Sequence, residues 1–309
     1  MSMDIASITS AFVQFGGEVI QKKLSKWDSV KQDFFIHRNL TQPKALTKIQ
    51  ALGNPRPYRT QDDFSGNDPK FSDRTLTAYQ TKWDFQLDFE DLRNTYLSEV
   101  KGGLNPKTTS LTDYILSHFA DSYLDKVNLQ TIGLGVRNGS GTTAADFCNG
   151  IRTMIATEIS GGGLTPIATG VIASTDAVTK VETFCDGLPA WLREMGFKII
   201  CSYGLFDKYK KHYRTLNSFG FQPNAIGKYQ LDGLMGTLEP RAWMGTSSRL
   251  IAVPNLPVSS YDTVLHMGTN DNAIQVFATP HLNIIQIRML MPIGLQISDL
   301  EAIFVNDQA

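Results

Sequence analysis

The chain of 309 residues carries 29 Lys and Arg against 30 Asp and Glu, which gives a formal net charge of -1. This balance excludes binding of a polyanion through overall charge and leaves only a local basic face open. Hydrophobic residues make up 42% of the chain and charged residues 19%, so a sizeable core can form and a wholly disordered chain is excluded. The length suits one elaborate domain or two ordinary ones.

The cysteines and the N-terminus both indicate a reduced, soluble setting. Cys148, Cys185 and Cys201 are an odd number without CxxC spacing, which favours free thiols over a disulfide framework. The first residues lack a basic segment ahead of an apolar stretch, and no window reaches about eighteen uninterrupted apolar residues. We therefore expect a chain that is made and used in soluble form, without a membrane partner.

The N-terminal region is polar and thinly apolar. Residues Ile5 to Leu52 show helical spacing in pieces, and Thr41 to Leu52 is predicted to form a helix with Pro43 in its first turn. The stretch from Gly53 to Arg74 is rich in Pro, Gly, Asn and Asp. This composition predicts a loop or a loop-tipped hairpin.

A strictly alternating segment follows this loop. Trp83, Phe85, Leu87 and Phe89 alternate with acidic and amide side chains, which predicts a strand with one wet face. If residues 56–91 form one hairpin, each arm of roughly 18 residues could reach about 60 Å. A compact chain of this length has a radius of gyration of only about 19 Å. Such a hairpin would protrude and need a partner, because an isolated ribbon is marginally stable in water. The alternative, that these strands fold back onto their own domain, stays open.

The rest of the chain predicts an α+β fold in which helices and strands are segregated. Ser110 is predicted to cap a long amphipathic helix that ends at Val127, and Ser174 or Thr175 to cap another. Gly187 can stop that second helix. The remaining predicted elements are short helices at Asp146–Ile159 and from Pro189, a strand buried on both faces at Phe197–Tyr203, a helix at Gly204–Leu216, and strands at Arg249–Leu256, Ala273–Ile297 and Glu301–Val305.

Catalytic and cofactor motifs are absent from the sequence. The five histidines lack metal-ligand spacing, and the glycines near Gly133 and Gly227 miss the phosphate-loop pattern, so we expect no metal and no cofactor. A dyad of Cys185 or Cys201 with His212 would define a cysteine-dependent hydrolase. The alternative is that both cysteines are small packed hydrophobes.

The segment from Lys208 to Arg214 is basic and aromatic. On a helix its aromatic residues line one face, while Lys208 and Lys211 line another. The charged face could meet solvent, a nucleic acid, or a neighbouring subunit of complementary charge.

The order of these features resembles one known family. The stretches KWDFQLDFEDLRNTYL and DGLPAWLREMGFKIICSYGLFDKYKKHY, the helix from Ser110, and LEPRAWMGTSSRLIAVPNLPV together resemble a tailed-phage major capsid protein of the Hong Kong 97-like fold. The likeness extends from about Pro43 to the end of the chain. It implies an N-terminal arm at 1–52, an extended loop (E-loop) at 53–91, a peripheral domain at 92–145 and 265–309 with a spine helix at 110–127, and an axial domain at 146–264.

The resemblance also implies a function without catalysis. Such a protein assembles through hexamers and pentamers into an icosahedral shell around double-stranded DNA. It implies a virion protein assembled in the host bacterial cytoplasm, with a separate scaffolding protein, a portal and decoration proteins as further partners. The fold also resembles that of encapsulin shells, which are the near alternative.

Specific residues are assigned to subunit contacts on this resemblance. In the family the E-loop lies across the adjacent subunit, so its basic and aromatic residues are the expected contacts. These are Arg56, Tyr58, Arg59, Phe64, Phe71 and Arg74. The expected charged face of the axial-domain helix consists of Lys208 and Lys211.

Overall fold

A computed structural model describes residues 32–50, 70–88, 111–216, 229–257, 260–270, 273–279 and 284–308. The strands are β1 Phe35–His37, β2 Lys44–Gln50, β3 Lys70–Leu76, β4 Tyr79–Asp88, β5 Phe197–Cys201, β6 Tyr229–Gln230, β7 Gly236–Pro240, β8 Ile251–Pro254, β9 Leu265–Thr269, β10 Ala273–Thr279, β11 Ile284–Ile297 and β12 Phe304–Val305. The α-helices are α1 Leu111–Lys126, α2 Ile151–Ser160, α3 Ala177–Asp186, α4 Ala190–Met195 and α5 Tyr203–Leu216. A π-helix at Val127–Thr131 extends α1, and short 3-10 helices lie at Ala144–Asp146 and Ala242–Met244.

The first sheet is built around the long strand β11. β4 pairs antiparallel with its first ten residues, and β10 and β9 pair antiparallel with successive parts of it. Ile293 is paired with both Tyr79 and Thr269, so β4 and β9 lie on opposite edges of β11. β1 adds to β9 in parallel, which brings the beginning of the described chain into this sheet.

The second sheet has the strand order β12-β8-β5-β7-β6. β5 is its central strand, parallel to β7 and antiparallel to β8, and every residue of β5 is buried. Phe197, Ile199 and Cys201 belong to one apolar cluster with α3 and α5, whereas Ile200 belongs to another. The central strand therefore separates two cores.

The two apolar cores differ in where their residues lie in the chain. The core of the first sheet collects residues from both ends, including Phe34, Tyr123 and Val305. The core of the second sheet is confined to residues 172–252. Ile151 and Ile155 of α2 pack into the first core, although they fall inside the expected axial domain. The change from one core to the other thus lies after α2.

Several elements predicted from the sequence are confirmed. The alternating segment forms β4, the helix predicted from Ser110 forms α1, and the strand predicted to be buried on both faces forms β5, which ends at Cys201. Trp83 and Phe85 of β4 pack on Phe119 and Tyr123 of α1, with ring centroids 4.0–6.0 Å apart. The dry face of β4 is therefore the surface against which α1 lies.

Two predictions in the N-terminal region are wrong. Residues predicted as a helix at Thr41–Leu52 form strand β2, which pairs antiparallel with β3. The hairpin proposed over 56–91 is paired differently, because β3 joins β2 while β4 joins β11. β4 thus folds back onto the sheet, as the alternative had it. The helical spacing between Ile5 and residue 31 lies outside the described residues.

Smaller differences occur at helix boundaries. Asp176 is the N-cap of α3, in place of Ser174 or Thr175, and Gly187 is its C-cap as predicted. The helix predicted at Asp146–Ile159 is divided into a 3-10 turn and α2. The helix predicted to end at Val127 instead continues as five residues of π-helix, which bury Val127, Asn128 and Thr131.

Candidate assembly surface

The hairpin of β2 and β3 carries many exposed side chains. Among the described strands these two pair only with each other, in a two-stranded sheet. Ala45, Thr47, Ser72 and Thr75 are exposed, and Phe71 keeps 64% of its surface accessible. A ribbon that buries few side chains, here Leu46 and Leu76, gains little from burial. Its stability must come from its root or from a partner.

The root of the hairpin crosses the first sheet over a pair of glycines. Gly268 of β9 and Gly294 of β11 lie directly opposite each other in register. A Cβ atom added at Gly294 would lie 2.0 Å from the Thr77 carbonyl oxygen, and one at Gly268 would lie 2.6 Å from Leu40. The missing side chains let the backbone after β3 descend onto the sheet, where Leu76 is fully buried.

Two ion-pair sites fasten the sides of the hairpin. Lys48 Nζ donates to Asp299 at 2.8 Å and to Glu301 at 2.6 Å. These two carboxylates raise the pKa of Lys48 against the lowering effect of its burial. Arg74 Nη2 donates to Glu158 Oε1 at 2.6 Å, and so ties β3 to α2. Arg74, expected to contact a neighbouring subunit, therefore has a partner within its own chain.

A buried cluster of charges holds the start of the described chain. Arg241 donates two hydrogen bonds to Asp33, from Nε at 2.6 Å and from Nη2 at 2.9 Å, and a third to Glu239. Lys198 Nζ donates to the Gln32 carbonyl at 2.6 Å and to Asp33 at 3.4 Å. Asp33 has no exposed surface. Two cations and two anions thus compensate one another between residues 32–33 and the second sheet.

The ionisation of this cluster follows from its environment. Burial would lower the pKa of Arg241, but Asp33 and Glu239 outweigh it and raise that pKa above its ordinary value. Burial lowers the pKa of Lys198, because desolvation penalises its ammonium form more than Asp33 and Glu239 favour it. We call Asp33, Lys198, Glu239 and Arg241 the charged anchor.

A second polar group holds the same segment four residues later. His37 Nε2 lies 2.7 Å from His266 Nδ1, and the two rings are stacked with centroids 5.0 Å apart. Lys44 Nζ lies 3.3 Å from His37 Nδ1. Burial, followed by the nearby Lys44 and His266, lowers the pKa of His37 to about 4, and burial also lowers the pKa of His266. We call Lys44, His37 and His266 the neutral anchor, since both rings are uncharged at neutral pH.

Helix α5 presents only part of its predicted charged face. Lys208 Nζ donates to the Ile172 carbonyl at 2.9 Å, so this side chain is used inside the subunit. Lys211 is exposed. On the opposite side Tyr209 is buried, Phe206 and Tyr213 are half-buried, and Leu216 is 58% exposed.

The buried thiols do not suit nucleophilic catalysis. Burial raises the pKa of Cys185 to about 12 and raises that of Cys201 further, whereas a reactive cysteine needs a stabilised thiolate. His212 Nδ1 accepts a hydrogen bond from the Val178 amide at 3.0 Å, which caps the first turn of α3. Nδ1 of His212 therefore already has a hydrogen-bond partner at the first turn of α3. The raised thiol pKa values and this hydrogen bond argue against the dyad of Cys185 or Cys201 with His212.

Within the described residues, no group of three His, Cys, Asp or Glu side chains could hold a metal ion. In the same ranges, no helix is long and apolar enough to cross a bilayer. Arg56, Tyr58, Arg59 and Phe64, which were expected to contact a neighbouring subunit, lie outside the described residues.

Neither anchor was predicted from the sequence, because their members lie up to 229 positions apart. One signal was available. Lys198 stands in a segment predicted to be buried on both faces, and a charge in such a strand requires a partner.

The fold that carries these features is that of the tailed-phage major capsid proteins. One similar chain comes from the structure of the satellite phage P4 procapsid including size determination (Sid) protein. The similarity covers 99% of this chain and 91% of the procapsid chain, with 10% identity and a TM-score of 0.51. The capsid of Myoviridae phage XM1 is similar over 90% of each chain, with 10% identity and a TM-score of 0.53. The capsid of an empty GTA particle is similar over 90% of this chain and 88% of that one, with 13% identity and a TM-score of 0.54.

The likeness is confined to structure. No protein-family model and no curated protein sequence matches the chain.

Proposed function

We propose that the chain is the structural subunit of an icosahedral phage shell, a major capsid protein that assembles through hexamers and pentamers around double-stranded DNA. The observation that carries the proposal is the likeness to capsid structures over at least 90% of the chain. Many copies would repeat modest contacts and close a shell. The function would be structural, without catalysis, and would take place in the virion after assembly in the host cytoplasm.

The exposed hairpin supports a role in subunit contacts. On this proposal residues 1–52 contain the N-terminal arm and residues 53–91 the E-loop, and β2 of the arm pairs with β3 of the E-loop. Among the proposed E-loop contacts, Phe71 is a described residue whose large apolar side chain is 64% exposed, which suits a subunit contact. The other proposed contacts are Arg56, Tyr58, Arg59, Phe64 and Arg74 on the E-loop, and Lys208 and Lys211 on α5.

The domain assignments belong to the same proposal. α1 would be the spine helix at 110–127 of a peripheral domain formed by 92–145 and 265–309, and residues 146–264 would form the axial domain. The confinement of the second core to residues 172–252 supports a separate axial unit. The packing of α2 in the first core favours a boundary after residue 160.

Particle formation tests the proposed function directly. The purified protein, expressed with and without a scaffolding protein, should form closed particles visible by electron microscopy and light scattering. Persistent monomers in both conditions would refute the proposal. Packaged DNA in particles from the native source would support a phage capsid, whereas an enzyme cargo would support the encapsulin alternative.

A substitution on the hairpin tests the contact. Phe71→Ser should leave the subunit folded by circular dichroism and reduce the yield of particles at least tenfold, because truncation of a buried interface aromatic costs about 2 kcal/mol or more. Ser72→Ala is the matched control, since Ser72 is exposed on the neighbouring position of the same strand. Normal particles from Phe71→Ser would exclude this residue from the subunit interface.

A further inference from the structure

The hydrogen bonds of the neutral anchor run in one direction only. A lysine ammonium group can donate but cannot accept, so His37 Nδ1 must be the acceptor of the contact with Lys44. The proton of a neutral His37 ring is then on Nε2, from which it is donated to His266 Nδ1. His266 in turn carries its own proton on Nε2, a buried nitrogen for which the described residues supply no hydrogen-bond partner of good geometry. Lys44, which cannot accept a hydrogen bond, therefore determines the tautomers of both His37 and His266.

The series of hydrogen bonds from Lys44 through His37 to His266 cannot accommodate an additional proton. A proton on His37 Nδ1 would face the Lys44 ammonium at 3.3 Å. A proton on His266 Nδ1 would face the N–H of His37 at 2.7 Å. Either event replaces a hydrogen bond with two opposed donors, in a place where His37 is 6% and His266 0% exposed.

Few groups nearby could offset such a proton. Burial lowers the pKa of His266, and this outweighs a backbone hydrogen bond to Thr263 that favours the charged ring. The other titratable group facing the two rings is Tyr261, whose ring lies 5.8 Å from His37 and 5.4 Å from His266. On β11 the residue opposite His266 is Gln296, which does not titrate. Phe35 of β1 packs against both rings, with its centroid 4.8 Å from that of His37 and 5.6 Å from that of His266. Among these described neighbours, no carboxylate could stabilise an imidazolium.

The anchor joins three separate parts of the chain. His37 ends β1, which pairs in parallel with β9, and His266 lies within β9. Lys44 is the first residue of β2, opposite Leu76 at the root of the exposed hairpin. A break in the hydrogen-bonded chain therefore loosens both the attachment of β1 and the base of the hairpin.

We propose that Lys44, His37 and His266 form a proton-operated latch, in which protonation of a histidine releases β1 and the root of the β2–β3 hairpin from the first sheet. The latch is closed when both rings are neutral and opens as the pH falls below the ordinary range of histidine. This inference is independent of the proposed shell function, because it concerns the isolated subunit.

The direction of the pH effect follows from linkage. In the open state the rings meet water and take up protons near the ordinary pKa of about 6.5, whereas the closed state resists protonation. Opening therefore becomes easier between that value and the lower pKa of about 4 for His37. For His37 alone, the opening constant should rise roughly twentyfold from about pH 7 to about pH 5.

Amide hydrogen exchange of the wild-type subunit tests the latch. After correction for intrinsic exchange rates, amides of β1 and of the first residues of β2 should show the roughly twentyfold rise between about pH 7 and about pH 5. Amides of β5, remote from both histidines, should not. Equal behaviour of the two regions would overturn the proposal.

A variant without titratable rings provides the matched comparison. His37→Gln retains a donor near the position of Nε2, and His266→Asn retains an acceptor near that of Nδ1. The double variant should lose the pH-dependent opening, whereas His118→Asn on an exposed part of α1 should keep it. Retention of the full pH response in the double variant would overturn the proposal.

The tautomers can be measured without any variant. In the wild-type protein labelled with nitrogen-15 histidine, both His37 and His266 should carry the proton on Nε2 at neutral pH. A proton on Nδ1 of either ring would contradict the one-way chain, even if the double variant fails to fold.

Discussion

The charged anchor and the neutral anchor hold the same short segment by opposite physical means. At Asp33, two cations and two anions are buried together, and Arg241 stays charged because its pKa is raised. At His37, burial keeps two rings uncharged. Removal of one partner from the first leaves an uncompensated buried charge, which is costly. The second can be broken by a proton alone. The anchor that is costly to break, at Asp33, and the anchor that responds to pH, at His37, therefore hold different ends of one segment.

Loss of the carboxylate at Asp33 should have the largest effect. Asp33→Asn leaves Arg241 and Lys198 with Glu239 as the remaining anion of the cluster, and the free energy of unfolding should fall by about 3–5 kcal/mol in urea denaturation. Asp186→Asn removes an ion pair with Arg193 in which Asp186 is 74% exposed, and should leave stability unchanged. Equal effects of the two substitutions would show that the charged anchor contributes no more than a surface pair.

The glycine pair under the hairpin offers the next largest effect. An alanine at position 294 would bring its Cβ against the Thr77 carbonyl, and Gly294→Ala should destabilise the protein by about 1–3 kcal/mol. Gly204→Ala, in α5, meets no atom within 4 Å and should be neutral or stabilising. Thermal unfolding of both variants measures the difference. A neutral Gly294→Ala would mean that the hairpin root does not need close contact with the sheet.

The ion pairs of Lys48 at the side of the hairpin should contribute less to the free energy of unfolding than either anchor. Lys48→Met removes hydrogen bonds to Asp299 and Glu301, but the Lys48 side chain is 27% exposed and its charges are partly screened. We expect a loss of about 1 kcal/mol in urea denaturation, reduced at high salt. Lys210→Met, which loses only a 3.9 Å contact with Asp207, is the control. A salt-independent loss would contradict an electrostatic origin.

The smallest effect is expected on the wet face of the first sheet. Arg288 donates to Asp84 at 2.8 Å across β11 and β4, on a face open to solvent. Arg288→Met should leave the melting temperature unchanged at physiological salt, because exposed ion pairs gain little in water. A fall in melting temperature as large as that of Lys48→Met would show that this face is less exposed to solvent than its geometry indicates.

The sequence predicted elements that are set by local pattern. β4 alternates and β5 is apolar except for Lys198, so each reveals its burial without knowledge of its neighbours. β2 does not, since only Leu46 among its described side chains is buried and a proline at its start also suits a helix. Its strand form is set by pairing with β3, more than twenty residues away. The two anchors could not be predicted from local sequence patterns either, because their members come together only after both sheets have formed.

The pairing of β4 with β11 has a consequence for synthesis of the chain. Register partners such as Asp84 and Arg288 are separated by 204 positions, and Asp33 meets Arg241 across 208. A growing chain that has produced β1 and β4 cannot complete their sheet until β9 and β11 have left the ribosome. Such non-local contacts slow folding and leave apolar strands exposed in the meantime. β1 and β4 are thus translated early and find their partners late, whereas β2 and β3, translated between them, can pair with each other at once.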